Sequence, residues 1–124
     1  MSAEGAIDLT SPYPVAETAD RLQNLLLAKG MKIFARVDQA AEAASVGMTL
    51  RPTILLLFGN PKAGTPLMEQ FPSLAIDLPL KALIWQSSDK VYLSFISPEY
   101  LQQRHHLPTT PFAQIPELMA AALK

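Results

Sequence analysis

Residues 51–66 read RPTILLLFGNPKAGTP, in which a run of aliphatic and aromatic residues ends in a turn rich in glycine, proline and asparagine. From Thr53 to Phe58 the run shows no alternation of polar and apolar residues. An uninterrupted apolar run is typical of a central strand that is covered on both faces. The turn after it contains one lysine, Lys62, and loops at strand ends often carry binding groups. We therefore expect a central β-strand with a candidate site at its end.

The segments on either side of this strand predict a mixture of helices and strands. Spacings of three and four residues predict a helix from Val15 to Lys29 that Gly30 ends. Alternation over residues 31–37 predicts a strand with one buried face, on which Ile33, Ala35 and Val37 lie together. A short helix capped by Asp38 follows over residues 39–46. Further elements are a short strand over residues 6–10, a helix over 67–71 capped by Thr65, and a hairpin of strands 80–86 and 91–96 with a four-residue loop. A helix capped by Ser97 follows over 97–106, and another lies in the tail.

Together these elements predict a compact α/β domain of about five strands with helices packed on them. A chain of 124 residues fits one domain that buries its own core. We expect a single domain over residues 1–124, with a core over about 6–107 and a helical tail over 108–124.

Composition excludes several classes of function. The net charge is −1 and the 10 Lys and Arg residues are scattered, which argues against a nucleic-acid partner. Without cysteine the chain has no disulfide, thiolate metal site or cysteine nucleophile. No secretory signal is visible, and the longest apolar run is far shorter than the roughly 20 residues that span a bilayer. We therefore expect a cytoplasmic protein with no membrane association.

The turn after the central strand has the glycine spacing of a phosphate-binding loop. Gly59 and Gly64 have the G-x-x-x-x-G spacing, but that motif continues with Lys and then Ser or Thr. Thr65 and Pro66 stand at those positions, and prolines remove backbone N–H donors from the loop. A tight strand-to-helix turn is therefore favoured over nucleotide hydrolysis. Asn60 and Lys62 are the candidates for contact with a small anion.

The remaining polar residues give weaker signals. The two histidines, His105 and His106, are adjacent, and neighbouring helical residues point about 100° apart. They are poorly placed to bind one metal, so we expect neither a metal nor a cofactor. His105 remains a candidate general base. Asp77 and Lys81 flank the start of the hairpin, where an ion pair beside the loop is one interpretation and a turn cap with an exposed lysine is the other.

Several segments resemble the DUF302 family, a domain of unknown function. They are L-R-P-T at 50–53, F-G-N-P-K-A-G-T-P-L-M at 58–68, D-L-P-L-K at 77–81 and R-H at 104–105. The resemblance covers about residues 6–107, and the tail is less typical. It implies a small α+β domain with a mixed β-sheet and helices, often as a homodimer. It does not imply any particular activity. The positions that match the family's motifs are Asn60, Lys62, Thr65, Asp77, Lys81 and His105.

Three hypotheses remain open. The first is a non-catalytic module that binds a small polar or anionic ligand at the Gly59–Thr65 loop, with Asp77 and Lys81. The second is an enzyme that uses His105 as acid or base, with Lys62 or Lys81 stabilising an oxyanion. The third is a structural or subunit role, in which apolar residues of the hairpin or tail contact a partner. Catalysis is the less expected outcome.

Overall fold

A computed structural model of the protein describes residues 3–124. Five strands and five α-helices, with one 3₁₀ helix, follow one another along this part of the chain. In order they are β1 (Ala6–Ser11), α1 (Val15–Ala28), β2 (Lys32–Asp38), α2 (Gln39–Ser45), β3 (Thr53–Gly59), α3 (Pro61–Gln70), the 3₁₀ helix Pro72–Asp77, β4 (Leu80–Ser87), β5 (Lys90–Ile96), α4 (Pro98–Arg104) and α5 (Ile115–Ala121).

The strands form one sheet in the order β1-β5-β4-β3-β2. The α+β class and the five strands are confirmed. The expected mixture of parallel and antiparallel pairing is wrong, because all four pairings are antiparallel. β1 and β2, which α1 connects, lie at opposite edges of the sheet and never pair. The chain therefore makes no crossover between neighbouring strands, which is what a parallel pair requires.

One face of the sheet carries the hydrophobic core, and we call it the covered face. Helix α1 packs on it and contacts β2, β3, β4 and β5. Leu22 and Leu26 of α1 are completely buried there, and Met119 of α5 joins the same cluster. Alternate residues of the central strands complete the core, namely Ile54, Leu56, Phe58, Ala82, Ile84, Leu93 and Phe95.

The other face of the sheet, which we call the open face, is also apolar but only half-buried. Its apolar residues are Leu55, Leu57, Leu83, Trp85 and Tyr92, and the exposed Lys81 lies on it opposite Leu57. The expectation that β3 is covered on both faces is therefore met on one face only. Within residues 3–124, the burial of β3 alternates between buried Ile54, Leu56 and Phe58 and half-buried neighbours.

Strand β2 departs from simple alternation. Ile33 lies opposite Phe58, but a register shift follows, and Arg36 lies opposite Leu56. A bulge of this kind inserts one residue and reverses which side chains share a face. The expectation that Ile33 shares a face with Ala35 and Val37 is therefore wrong. Arg36 instead reaches α1, where it contacts Asp20 at 2.7 Å and Gln23 at 3.1 Å.

The β4–β5 hairpin is tighter than the sequence predicts. Ser87 and Lys90 already pair within the ladder, so the loop contains two residues rather than four. Ser88, the first of the two, has a φ of 57°. Positive φ in a two-residue loop matches the twist of antiparallel strands. Because Ser88 is not glycine, no sequence signal marked this short turn.

Candidate functional site

The turn after β3 is the first turn of a helix rather than a loop. Asn60 is the N-cap of α3, and its Oδ1 accepts the N–H of Lys62 at 3.0 Å. The helix begins at Pro61, a favoured residue for a first helical position because its missing N–H would have no partner there. The predicted start at Leu67 with Thr65 as cap is therefore wrong. Thr65 is an exposed residue inside the helix.

This capping leaves no backbone cradle for an anion. The N–H groups of Ala63 and Gly64 both donate to the carbonyl of Asn60, at 3.0 and 2.9 Å. The N–H of Lys62 is taken by the Asn60 side chain, and Pro61 has none. Phosphate-binding loops instead present several free N–H groups to the ligand. The geometry here is that of a strand-to-helix turn.

Behind this turn lies a cavity of about 260 Å³, which we call the α3 cavity. Its walls are mostly apolar, and its polar side chains are the amides of Asn60 and Gln114. No ionisable side chain lines it within residues 3–124. The lining residues are Met31, Phe34, Gly59, Asn60, Pro61, Ala63, Gly64, Met68, Leu78, Pro79, Leu80, Phe112, Gln114 and Ile115.

The positions singled out from the sequence divide between two places. Asn60 lines the α3 cavity, whereas Lys62 and Thr65 are exposed on α3 and do not line it. Asp77 and Lys81 line a second cavity of about 340 Å³ at the end of the 3₁₀ helix. Lys81 donates through Nζ to the carbonyl of Pro79 at 3.2 Å rather than to Asp77.

His105 belongs to a hydrogen-bonded cluster with Asp77. Its Nε2 lies 2.5 Å from Asp77 Oδ2, and its Nδ1 lies 2.8 Å from Ser73 Oγ. Arg104 donates from Nε to the same Asp77 oxygen at 3.0 Å. The negative charge of Asp77 raises the pKa of the Arg104 guanidinium, and a hydrogen bond with Tyr100 raises it further. Arg104 therefore stays cationic beside this carboxylate.

Ser73 was not among the site residues predicted from the sequence, because no serine motif surrounds it. It lies near the start of the 3₁₀ helix Pro72–Asp77, four residues before Asp77. No short helix was predicted there, because residues 72–77 are too few to show periodicity. The hypothesis that Lys62 or Lys81 stabilises an oxyanion next to His105 gains no support from the contacts. The imidazole of His105 contacts Asp77 and Ser73 instead.

The open face carries a polar chain across three strands. Trp85 donates from Nε1 to Ser94 Oγ at 2.9 Å, and Ser94 donates to Asp8 Oδ1 at 2.5 Å. Ser94 is buried although it lies on the open face, because Trp85 and neighbouring side chains shield it. These interactions cross-link β1, β5 and β4.

Fold and cavity define a small α+β domain built on an antiparallel sheet. Comparison with known proteins specifies it further. The profile described as "Domain of unknown function DUF302" matches residues 7–124, so the chain belongs to the DUF302 family. The match extends through the tail, which lies outside the segments that resemble the family in the sequence. A crystal structure of an uncharacterized conserved DUF302 protein from Bacillus stearothermophilus has the same fold, with a TM-score of 0.81, 19% identity, and coverage of 98% of this chain and 97% of that one.

The curated proteins that match this chain are named as fluoride channels rather than as DUF302 proteins. Over 104 residues the chain is 42% identical to "Fluoride-specific ion channel FluC 1" of Brucella suis biovar 1 (strain 1330) and to its namesake in Brucella abortus biovar 1 (strain 9-941). The match covers 83% of this chain but only 41% and 38% of those proteins. The chain thus spans about two fifths of their length. No helix within residues 3–124 is long and apolar enough to cross a membrane.

Proposed function

We propose that this protein is a binding module whose α3 cavity holds a small molecule with an apolar body and a polar or anionic head group. One observation carries the proposal, namely the apolar cavity of about 260 Å³ behind the Gly59–Thr65 segment. Small-molecule sites are typically concave and mostly apolar, with a few polar groups that fix orientation. The cavity has this composition, although it is somewhat smaller than most such sites.

The chemistry of the lining favours binding without reaction. No ionisable side chain of the described residues lines the α3 cavity, so the cavity contains no side chain that could act as a general acid or base. Burial of apolar ligand surface contributes about 25 cal/mol per Å². The body of the ligand therefore supplies most of the affinity, and the amides of Asn60 and Gln114 orient it.

The head group of the ligand belongs at the rim, beside the start of α3. Asn60 Oδ1 is engaged by the N–H of Lys62, so the side-chain NH₂ group of Asn60 is the part that donates to a ligand. Lys62 is exposed next to Pro61 and Ala63, which line the cavity. Its ammonium group adds attraction for an anionic head group, but only weakly because water screens it.

A thermal-unfolding screen tests this proposal. Small amphipathic metabolites, ranked by competition with the dye 1-anilinonaphthalene-8-sulfonate, are expected to raise the unfolding temperature. Lys62→Ala should weaken anionic ligands several-fold and leave neutral ones unchanged. The proposal fails if nothing binds, or if fully polar metabolites bind as well as amphipathic ones.

A second candidate function follows from the curated relatives. Those proteins are named as fluoride channels, and this chain matches about two fifths of their length. We infer that a domain of this kind accompanies a fluoride channel and responds to a ligand. Fluoride itself is not the expected ligand of the α3 cavity, because the backbone donors at α3 are already occupied.

Fluoride tolerance tests this second candidate. Expression of this chain together with a Brucella fluoride channel from which its own matched part is removed should change growth in fluoride, whereas this chain alone should not. Growth that is the same with and without the chain would contradict it. The cytoplasmic location expected from the sequence stays a prediction, which cell fractionation tests in the same strains.

The open face supports a homodimer as the form in which the domain works. Leu55, Leu57, Leu83 and Trp85 form an apolar surface that the described residues leave half-exposed, with the exposed Lys81 opposite Leu57. A second copy presents the same surface, which makes a self-complementary contact of the kind found in two-fold dimers. The uninterrupted apolar run of β3 favours this arrangement, since such strands are usually covered on both faces.

A further inference from the structure

Three side chains outside the α3 cavity form a chain of hydrogen bonds. Ser73 Oγ lies 2.8 Å from His105 Nδ1, and His105 Nε2 lies 2.5 Å from Asp77 Oδ2. A hydroxyl, an imidazole and a carboxylate in this order are the parts of an activated serine nucleophile. The cluster is distinct from the α3 cavity, because none of the three residues lines it.

The side chains of Ser73, His105 and Asp77 differ in their exposure to solvent. Ser73 and Asp77 lie at the two ends of the 3₁₀ helix, and His105 is the C-cap of α4. The His105 side chain is only 4% exposed, whereas Ser73 is exposed. The imidazole is thus shielded from water while the hydroxyl remains accessible to a substrate.

The carboxylate determines which nitrogen of the imidazole carries the proton. Asp77 accepts the N–H of His105 Nε2, so in the neutral imidazole Nδ1 is unprotonated and faces the hydroxyl of Ser73. Ser73 then donates its proton toward a base that is held in place. Chymotrypsin-type proteases use the two ring nitrogens the other way round, but each group has the same role.

We propose that Ser73 is the nucleophile of an acyl-transfer site that hydrolyses small carboxylic esters. Ser73 Oγ bonds to the carbonyl carbon while its proton passes to His105 Nδ1. The intermediate then expels the alcohol, which takes that proton, and leaves an acyl group on Ser73. Water attacks the acyl group, gives a proton to His105 and releases the acid as the proton returns to Ser73.

Two neighbouring features suit this chemistry. Arg104 contacts the same Asp77 oxygen at 3.0 Å, so its guanidinium helps to hold the carboxylate against His105. The cavity of about 340 Å³ that Asp77 lines has Ile76, Leu80 and Leu101 in its walls. An apolar acyl or alcohol part of the ester fits such a lining.

A purely structural role for the cluster is the competing explanation, since the same bonds tie the 3₁₀ helix to the end of α4. A fluorophosphonate probe separates the two, because it reacts covalently with activated serines and not with ordinary ones. We expect one label per chain, located on Ser73 by peptide mass spectrometry, together with slow hydrolysis of p-nitrophenyl acetate. Both should be lost in Ser73→Ala, which removes one exposed hydroxyl.

The variants distinguish catalysis from folding. The matched control Ser45→Ala removes another exposed hydroxyl and should keep full labelling. His105→Gln should slow labelling by a factor of about 10² or more, as expected for loss of a general base, and Asp77→Asn should slow it less. Absent labelling in the wild type, equal labelling in Ser73→Ala, or an unchanged rate in folded His105→Gln would each overturn the proposal.

Discussion

The α3 cavity and the open face are both partly buried, but they differ in the elements that form them and in charge. The cavity lies between α3, the segment around Pro79 and the tail residues Phe112 and Ile115, and no ionisable side chain in the described residues lines it. The open face is a surface of the β-sheet, on which side chains of neighbouring strands stand side by side, and its own recess of about 330 Å³ is lined in part by Asp8 and Lys81. An apolar recess between a helix and the tail suits a small molecule, and a broad sheet surface with a polar part suits another protein surface.

This difference separates two roles in one small domain. Ligand contacts depend on α3 and on the segments around it, whereas assembly depends on side chains of β3, β4 and β5. A substitution in one region should therefore leave the function of the other intact. The effects of substitutions in both regions are compared with those on the covered face, because its hydrophobic core stabilises the monomer.

The largest effect is expected on the covered face. Leu56→Ala should lower the free energy of unfolding by about 3 to 4 kcal/mol, because Leu56 is completely buried and the change leaves a cavity. Leu55→Ala on the same strand should cost only about 1 kcal/mol, since the open face is half-exposed in the monomer. Urea unfolding of both variants, followed by circular dichroism at low protein concentration, measures the difference. Equal losses would mean that the open face is covered within the single chain.

The next effect concerns assembly. Leu83→Glu places a charge in the middle of the open face and should weaken self-association at least tenfold, a change of about 1.4 kcal/mol. Sedimentation equilibrium measures this change. Val46→Glu is the matched control, because Val46 is 71% exposed and lies outside the sheet. A wild-type protein that stays monomeric at its highest soluble concentration would refute the dimer.

The sequence predicted most of the elements because their signals are local. The spacing of α1 and its stop at Gly30, the cap of α2 at Asp38 and the cap of α4 at Ser97 all agree with the structure. The bulge in β2 had no such signal, since it arises from the pairing with β3. The directions of the strands had no local signal either, because they depend on the sheet edge to which α1 leads the chain.

The candidate site was predicted less well, because it depends on contacts between distant segments. Asn60 was singled out, but its capping role was assigned to Thr65. The helix begins at Pro61, and a helix that contains Gly64 and Pro66 runs against propensity, so packing of α3 outweighs local preference. The cluster of Ser73 with His105 joins residues that are 32 positions apart, which no short motif reveals.

A smaller effect is expected at the wall of the α3 cavity. Gly64→Ala should raise the free energy of unfolding by about 0.5 to 1 kcal/mol, because glycine inside a helix is less favourable than alanine. The added Cβ would lie 3.7 Å from Leu78 Cδ1 and 3.9 Å from Met68 Cε, which is ordinary contact. Thermal unfolding without ligand measures the gain. A loss of stability would show that this wall is already tightly packed.

The smallest effect tests the bulge in β2. Arg36→Ala should cost at most about 1 kcal/mol, because the ion pair with Asp20 is substantially exposed. The loss should shrink at high salt, since salt screens exposed charges. Self-association should not change, because the bulge turns Arg36 toward α1. A variant with altered self-association would place Arg36 on the open face instead.

Calorimetric titration of Gly64→Leu is the most direct test of ligand binding in the α3 cavity. The added side chain points toward Leu78 and Met68 and occupies the space assigned to the apolar body of the ligand. A metabolite from the screen should bind this variant at least tenfold more weakly than the wild type, while Thr65→Val on the exposed side of α3 binds it normally. Equal affinity in the wild type and in folded Gly64→Leu would contradict the account.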